Sequence, residues 1–178
     1  MAYRRHYKDW IQQYLSLVKD RTEAPDVFHF WSCVATIGAA VTRRVYIDEK
    51  WYKIYPNWII VLAAIPGRAK KSTTVDRCTD LLRYNHPELF GADETNWPDI
   101  CRTFAENTAY MMANPEDKDE DGAYSSQCAM TFVPGELGTF LNPDDTHAID
   151  GITRLWDCPE RAFVKSTKHN GVDNIVNP

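Results

Sequence analysis

The unbroken apolar run from Trp58 to Ile65 leads straight into Pro66-Gly67 and then Arg68-Ala69-Lys70-Lys71-Ser72-Thr73. No other stretch limits the possible folds as strongly. The run is far too short to cross a bilayer. Bounded by a Pro-Gly turn, it reads as a strand buried on both faces, which demands cover above and below. After the turn, Val75, Cys78, Leu81 and Leu82 recur at helical spacing, and Asn85-His86-Pro87 closes that helix near Tyr84. Strand, tight turn, paired lysines with hydroxyls, and helix therefore follow in order. Such a layout suits a phosphate group. The first amides of the helix point at the anion, the helix dipole favours its charge, a lysine reaches the outer phosphates, and a hydroxyl ligates Mg²⁺.

The P-loop spacing is G-x-x-x-x-G-K-[ST]. With Lys71-Ser72 as its last pair, the two glycine positions fall on Ile65 and Lys70. With Lys70 as the lysine they fall on Ala64 and Ala69, and Lys71 displaces the hydroxyl. The first register keeps the metal ligand and is preferred, with one residue accommodated in the loop. The register on Lys70 stays open. Pro66, Gly67, Arg68, Ala69, Lys70, Lys71, Ser72 and Thr73 are the candidate nucleotide-binding residues, with Ser72 the magnesium ligand and ATP with Mg²⁺ the expected cofactors. The competing reading is a buried strand that runs into a basic, solvated turn.

A net charge of -5 over 178 residues argues against a chain that wraps nucleic acid along its whole surface. DNA contact would have to be local, at Arg4-Arg5 or Arg43-Arg44. The five cysteines, Cys33, Cys78, Cys101, Cys128 and Cys158, are scattered with no Cys-x-x-Cys, which disfavours a disulfide framework or a zinc site. Buried thiols in a reducing cytoplasm are the expectation. The N-terminus lacks the apolar core of a signal peptide. A soluble cytoplasmic protein without a membrane span is expected.

Tyr7, Trp10, Ile11, Tyr14 and Val18 predict an amphipathic helix over 3–20, and a second helix begins near Pro25-Asp26. Together they form a helical appendage over 1–42, ahead of a core over 43–178. Residues 44–48 and 51–55 alternate as a short hairpin. A helix is predicted from Asn96-Trp97 to about 112, and the acidic run 115–122 is a solvated loop. Cys128 to Val133 is a second buried strand, ending at Pro134-Gly135-Glu136. In open α/β sheets ligands bind beyond the carboxyl ends of strands. Glu136 is accordingly the candidate that orients and deprotonates an attacking water. The aspartate usual before such a glutamate is replaced by Gly135. Asp144-Asp145-Thr146 caps a helix through Trp156, and 161–165 with 173–176 make a strand pair around His169-Asn170-Gly171. Only two core strands are evident, at 57–65 and 128–133, so the sheet reads as incomplete: a fragment, a truncated gene, or a protein whose sheet is finished by a partner.

The order of these features resembles a family of P-loop ATPases from phages, plasmids and bacterial mobile elements, often joined to primase domains and treated as replicative primase-helicases. The resemblance runs over nearly the whole chain. It is carried by Ala24-Pro25, Arg43-Arg44-Val45, Tyr55-Pro56-Asn57, Pro66-Gly67, Lys71-Ser72-Thr73, Glu136-Leu137, Leu155-Trp156-Asp157, Pro159-Glu160, Thr167-Lys168, Gly171 and Asn177-Pro178. It implies an α/β fold with a RecA-like or AAA+-like parallel-sheet core, incomplete in this chain. It also implies Lys71 and Ser72 as phosphate and magnesium residues and Glu136 as catalytic carboxylate. Such ATPases use an arginine from a neighbouring subunit, and Arg154 and Arg161 are the candidates here. Lys165 and Lys168 are candidate phosphate or DNA contacts. The expected function is the ATP-hydrolysing core of a helicase-like DNA replication protein, working as a homo-oligomer. The alternative is a non-catalytic nucleotide-binding or interaction module derived from a truncated ATPase.

Overall fold

The protein is described here from a computed structural model covering residues 9–113, 128–159, 163–167, 171–175 and 178. Helix α1 (Trp10–Val18) starts where the Asp9 carboxylate accepts the Gln12 amide at 3.2 Å. Helix α2 (Asp26–Val41) follows Pro25, with Asp26 favourably placed in its first turn. The two helices meet through aromatic groups. Trp10 stacks on Tyr14, and the Tyr14 hydroxyl lies 3.2 Å from His29 Nδ1. The hairpin of β1 (Ile47–Asp48) and β2 (Lys53–Ile54) pairs Ile47 with Ile54.

Helix α3 (Lys71–Arg83) packs along α2, burying Thr74, Cys78 and Thr79 on its own side and Cys33 and Thr36 on the other. A 3₁₀ turn at Pro87–Leu89 leads to α4 (Trp97–Ala113). The single turn α5 (Leu137–Phe140) and then α6 (Thr146–Trp156) follow, the latter capped by the Asp145 carboxylate on the Ala148 amide. Strands β3 (Phe163–Thr167) and β4 (Gly171–Ile175) form an antiparallel pair in which Phe163 faces Ile175. The main hydrophobic core lies between α4, α6, β4 and the segment at Cys128. Trp97, Ile100, Cys101, Phe104, Leu155 and Ile175 fill it. Phe132 and Phe140 extend it, with ring centroids 5.8 Å from Phe104 to Phe132 and 5.6 Å from Phe132 to Phe140.

The expected RecA-like or AAA+-like parallel-sheet core is not what the chain forms. The described residues are helix-rich, and their sheets are two separate two-stranded antiparallel pairs. Residues 58–65 are extended but join no ladder. The segment 128–133 makes one parallel bridge, Phe90 with Thr131, closed by Thr131 N–H to Leu89 O at 2.8 Å and Gly91 N–H to Thr131 O at 3.0 Å. Exposure gives the physical reason. A strand inside a parallel sheet is covered on both faces, yet Trp58, Ile59, Val61 and Ile65 remain 59%, 63%, 56% and 66% exposed. The hairpin at 47–54 and the strand pair at 163–175 do follow the sequence pattern. The acidic run 115–122 lies outside the described residues.

Gly151 shows how closely α4 and α6 approach. A β-carbon there would fall inside the indole of Trp97, a rigid ring with nowhere to go. Gly151→Ala is expected to lower stability by about 1–3 kcal/mol, the usual cost of overpacking a filled core. Gly138→Ala, which meets nothing within 4 Å, should stay within about 0.5 kcal/mol of the parent. Urea titration followed by circular dichroism checks both. Equal midpoints for the two variants would mean that this contact is not formed.

Candidate phosphate-binding site

The turn before α3 is built from two left-handed residues. Gly67 has φ +77°, a conformation glycine enters without steric cost. The Arg68 amide bonds back to Ile65 O at 3.3 Å, closing the turn. Lys70, at the helix N-cap, has φ 46° and ψ 39°. The preferred register puts a glycine position of the motif on Lys70, and Lys70 adopts a backbone conformation that favours glycine. The first helical bond runs from the Thr74 amide to Lys70 O at 3.1 Å. Lys71, Ser72 and Thr73 therefore present amides with no acceptor inside the helix, and no side chain caps them.

These groups border a pocket of about 210 Å³ formed by Ile65, Gly67 and Ala69 to Thr73. Ligand sites for whole small molecules span roughly 300–1,000 Å³, so this pocket is smaller than a site that would enclose a complete nucleotide. Pro66 and Arg68 belong to the turn but do not line the pocket. The Lys71 ammonium is 3.4 Å from Ala64 O, which folds it back over the end of the extended segment. Ser72 and Thr73 are exposed and open to an incoming ligand.

Lys71 and Ser72 also border a larger cleft of about 480 Å³. One wall is the extended segment from Tyr55 to Leu62, and the other is Ala129 to Gly135. Gly135 and Leu137 line this cleft, whereas Glu136 between them is exposed, is not a lining residue, and makes no capping bond at the start of α5. The fold thus brings the two distant stretches to one cleft and leaves the carboxylate at its edge. Arg154 sits exposed in the last turn of α6. Arg161 and Lys168 lie outside the described residues.

Two anchors escaped the sequence reading. Arg43 does not form a surface patch with Arg44. Its guanidinium donates to Pro178 O at 2.7 Å, Cys158 O at 3.2 Å and Pro159 O at 3.4 Å, and stacks 4.4 Å from the Tyr55 ring centroid. Trp156 Nε1 donates to Asn57 O at 2.6 Å, and the Asn57 amide donates back to Trp156 O. The second pair fixes where the extended segment begins. The Arg-Arg and Tyr-Pro-Asn steps hinted at special backbone positions, but long-range partners of this kind leave no periodic mark in a sequence.

Among the described residues, no group of three or more His, Cys, Asp or Glu is placed to hold a metal ion. Magnesium bound with a nucleotide needs no such cage, since it is held by phosphate oxygens, waters and one or two protein oxygens. The Ser72 hydroxyl fits that requirement. Among the described residues, no helix is long and apolar enough to cross a membrane. Comparison with family models, curated proteins and solved structures returned no match.

Proposed function

We propose that this chain binds the triphosphate of ATP, with Mg²⁺, at the turn and helix start over residues 65–73. One observation carries the reading: three unsatisfied amides at the start of the 13-residue helix α3 open onto a pocket of about 210 Å³ beside Lys71. Each of these contributes in the same direction. The amides donate to phosphate oxygens, the helix dipole favours the anion, and the Lys71 ammonium offsets the outer charge. Mg²⁺, when bound, would neutralise charge on the phosphates, and Ser72 would hold it through its hydroxyl. Glu136, at the rim of the same cleft, would accept a proton from the attacking water. By the resemblance described above, such a module would serve DNA replication in a mobile element.

Binding without turnover is the second reading. The exposure of Glu136 at the rim, rather than inside the cleft, favours it. Titration of a fluorescent ATP analogue with and without Mg²⁺, paired with phosphate release, separates the two. Lys71→Ala is expected to weaken binding tenfold or more, about 1.4 kcal/mol, and Lys70→Ala less. Ser72→Ala should remove most of the gain from Mg²⁺. Glu136→Gln should keep binding and lose phosphate release. Equal affinity for parent and Lys71→Ala would reject the site. No release from the parent beyond that of Glu136→Gln would leave a binder and not an enzyme.

We propose further that a second copy of the chain supplies an extended segment to the cleft. Among the described residues, 58–64 make no backbone-to-backbone hydrogen bond, while Ile59 and Val61 expose apolar surface. Unpaired backbone beside apolar side chains is a template for strand pairing. Light scattering should show association that grows with concentration, and Val61→Pro should abolish it by removing a donor and fixing φ. A strictly monomeric parent at every concentration would sink this part.

A further inference from the structure

The contact between α2 and α3 contains a chemistry that the proposed phosphate site does not use. Cys33 and Cys78 are both 0% exposed, lie 45 residues apart in the chain, and hold their sulfurs 3.8 Å from each other. The sulfurs must close by only about 1.8 Å to reach the ~2.05 Å of a disulfide. Around them runs a line of polar contacts. His29 Nδ1 is 3.2 Å from the Tyr14 hydroxyl, which lies near enough to the Cys78 thiol to influence its ionisation. No third metal-ligating group joins the pair among the described residues, so this is not a metal cage.

We infer that Cys33 and Cys78 form a peroxide-responsive dithiol whose disulfide fastens α3 to α2. The contact shared with Cys33 lowers the pKa of Cys78 against the raising effect of burial, and the same contact together with burial raises that of Cys33. The 3.8 Å contact puts each sulfur within reach of the other. Cys78 is taken as the attacking thiolate and Cys33 as the resolving thiol, and the exchanged order gives the same disulfide. In the first step the Cys78 sulfur attacks one oxygen of hydrogen peroxide and the O–O bond breaks. Cys78 becomes a sulfenic acid, and the departing hydroxide takes up a proton to leave as water. In the second step the Cys33 sulfur attacks the Cys78 sulfur, its S–O bond breaks, and a second water leaves with the Cys33 proton. Two thiols lose two electrons and two protons, and one peroxide becomes two waters. A small dithiol such as dithiothreitol reverses the change. Both thiols are fully buried, so hydrogen peroxide reaches them only when α3 parts from α2, and the reaction is slow. The length of α3 between Cys78 and Lys71, about two helical turns, links the bond to the start of that helix.

The thiol chemistry stands apart from the nucleotide reading, and only its effect on the 65–73 turn rests on that reading. The test exposes the full chain to hydrogen peroxide, then alkylates it in denaturant and maps the peptides by mass spectrometry. Two of the five free thiols should be lost, a Cys33–Cys78 linked peptide should appear, and dithiothreitol should restore both. The oxidised chain should melt at a higher temperature than the reduced one, a gain absent in Cys33→Ser and Cys78→Ser. Cys101→Ser, which alters the separate main core, should still show the peroxide-dependent gain, whatever its own melting temperature. If Cys33 and Cys78 both stay alkylatable while Cys158 oxidises, or if the linked peptide joins other cysteines, the inference is overturned. A change in melting temperature that persists in Cys33→Ser overturns it as well. Nucleotide titration of the oxidised chain reads the second link separately, since the peptide map does not depend on it.

Discussion

A helix cannot satisfy its own first amides, and the proposed nucleotide site depends on the way α3 begins. Lys70 turns left-handed at the N-cap, so no side chain or preceding carbonyl returns to cover Lys71, Ser72 and Thr73. Such donors are met by water or by an anion. The turn that creates them is held by Gly67 and the Arg68-to-Ile65 bond. The helix behind it is held by the buried face of Thr74, Cys78 and Thr79 against α2. The proposed phosphate site thus rests on a helix that is packed along one face, not on an isolated basic loop.

The cleft beside that start raises the other physical question. Buried or half-buried backbone groups seek partners, yet the run from Trp58 to Ala64 offers its amides and carbonyls to no other backbone among the described residues. Its burial alternates, with Ile60, Leu62 and Ala64 half-covered and Ile59, Val61 and Ala63 exposed. This is the pattern of a strand with one face covered. Asn57 with Trp156, and Arg43 with Cys158, Pro159 and Pro178, tie together segments that line the cleft. Both anchors use backbone carbonyls as acceptors, so they depend on chain geometry more than on the identity of the residues they meet.

Local features were legible in the sequence, and distant ones were not. Apolar spacing found α3 and its end, Asp144-Asp145-Thr146 found the start of α6, and turn residues found both antiparallel pairs. These depend on neighbours within a few positions. The parallel core failed because an apolar run reports only that a segment would rather be buried. Whether another strand lies beside it is decided by pairing across long stretches of chain, which composition does not encode. The Cys33–Cys78 meeting was hidden for the same reason: each cysteine fits its own helix stripe, and only the packing of α2 on α3 brings them together. Arg43 looked like half of a surface pair because a guanidinium bonded to three carbonyls has the same sequence as one in water.

Backbone amide shifts recorded by nitrogen-15 NMR while Mg-ATP is titrated in test the central claim most directly. The account predicts saturable movement concentrated at Gly67 and at Lys70 to Thr73, with the largest changes at the three uncapped amides of α3. It is contradicted if those amides hold still through the titration, or if the movement gathers instead around Arg43 and Arg44 and disappears with added salt.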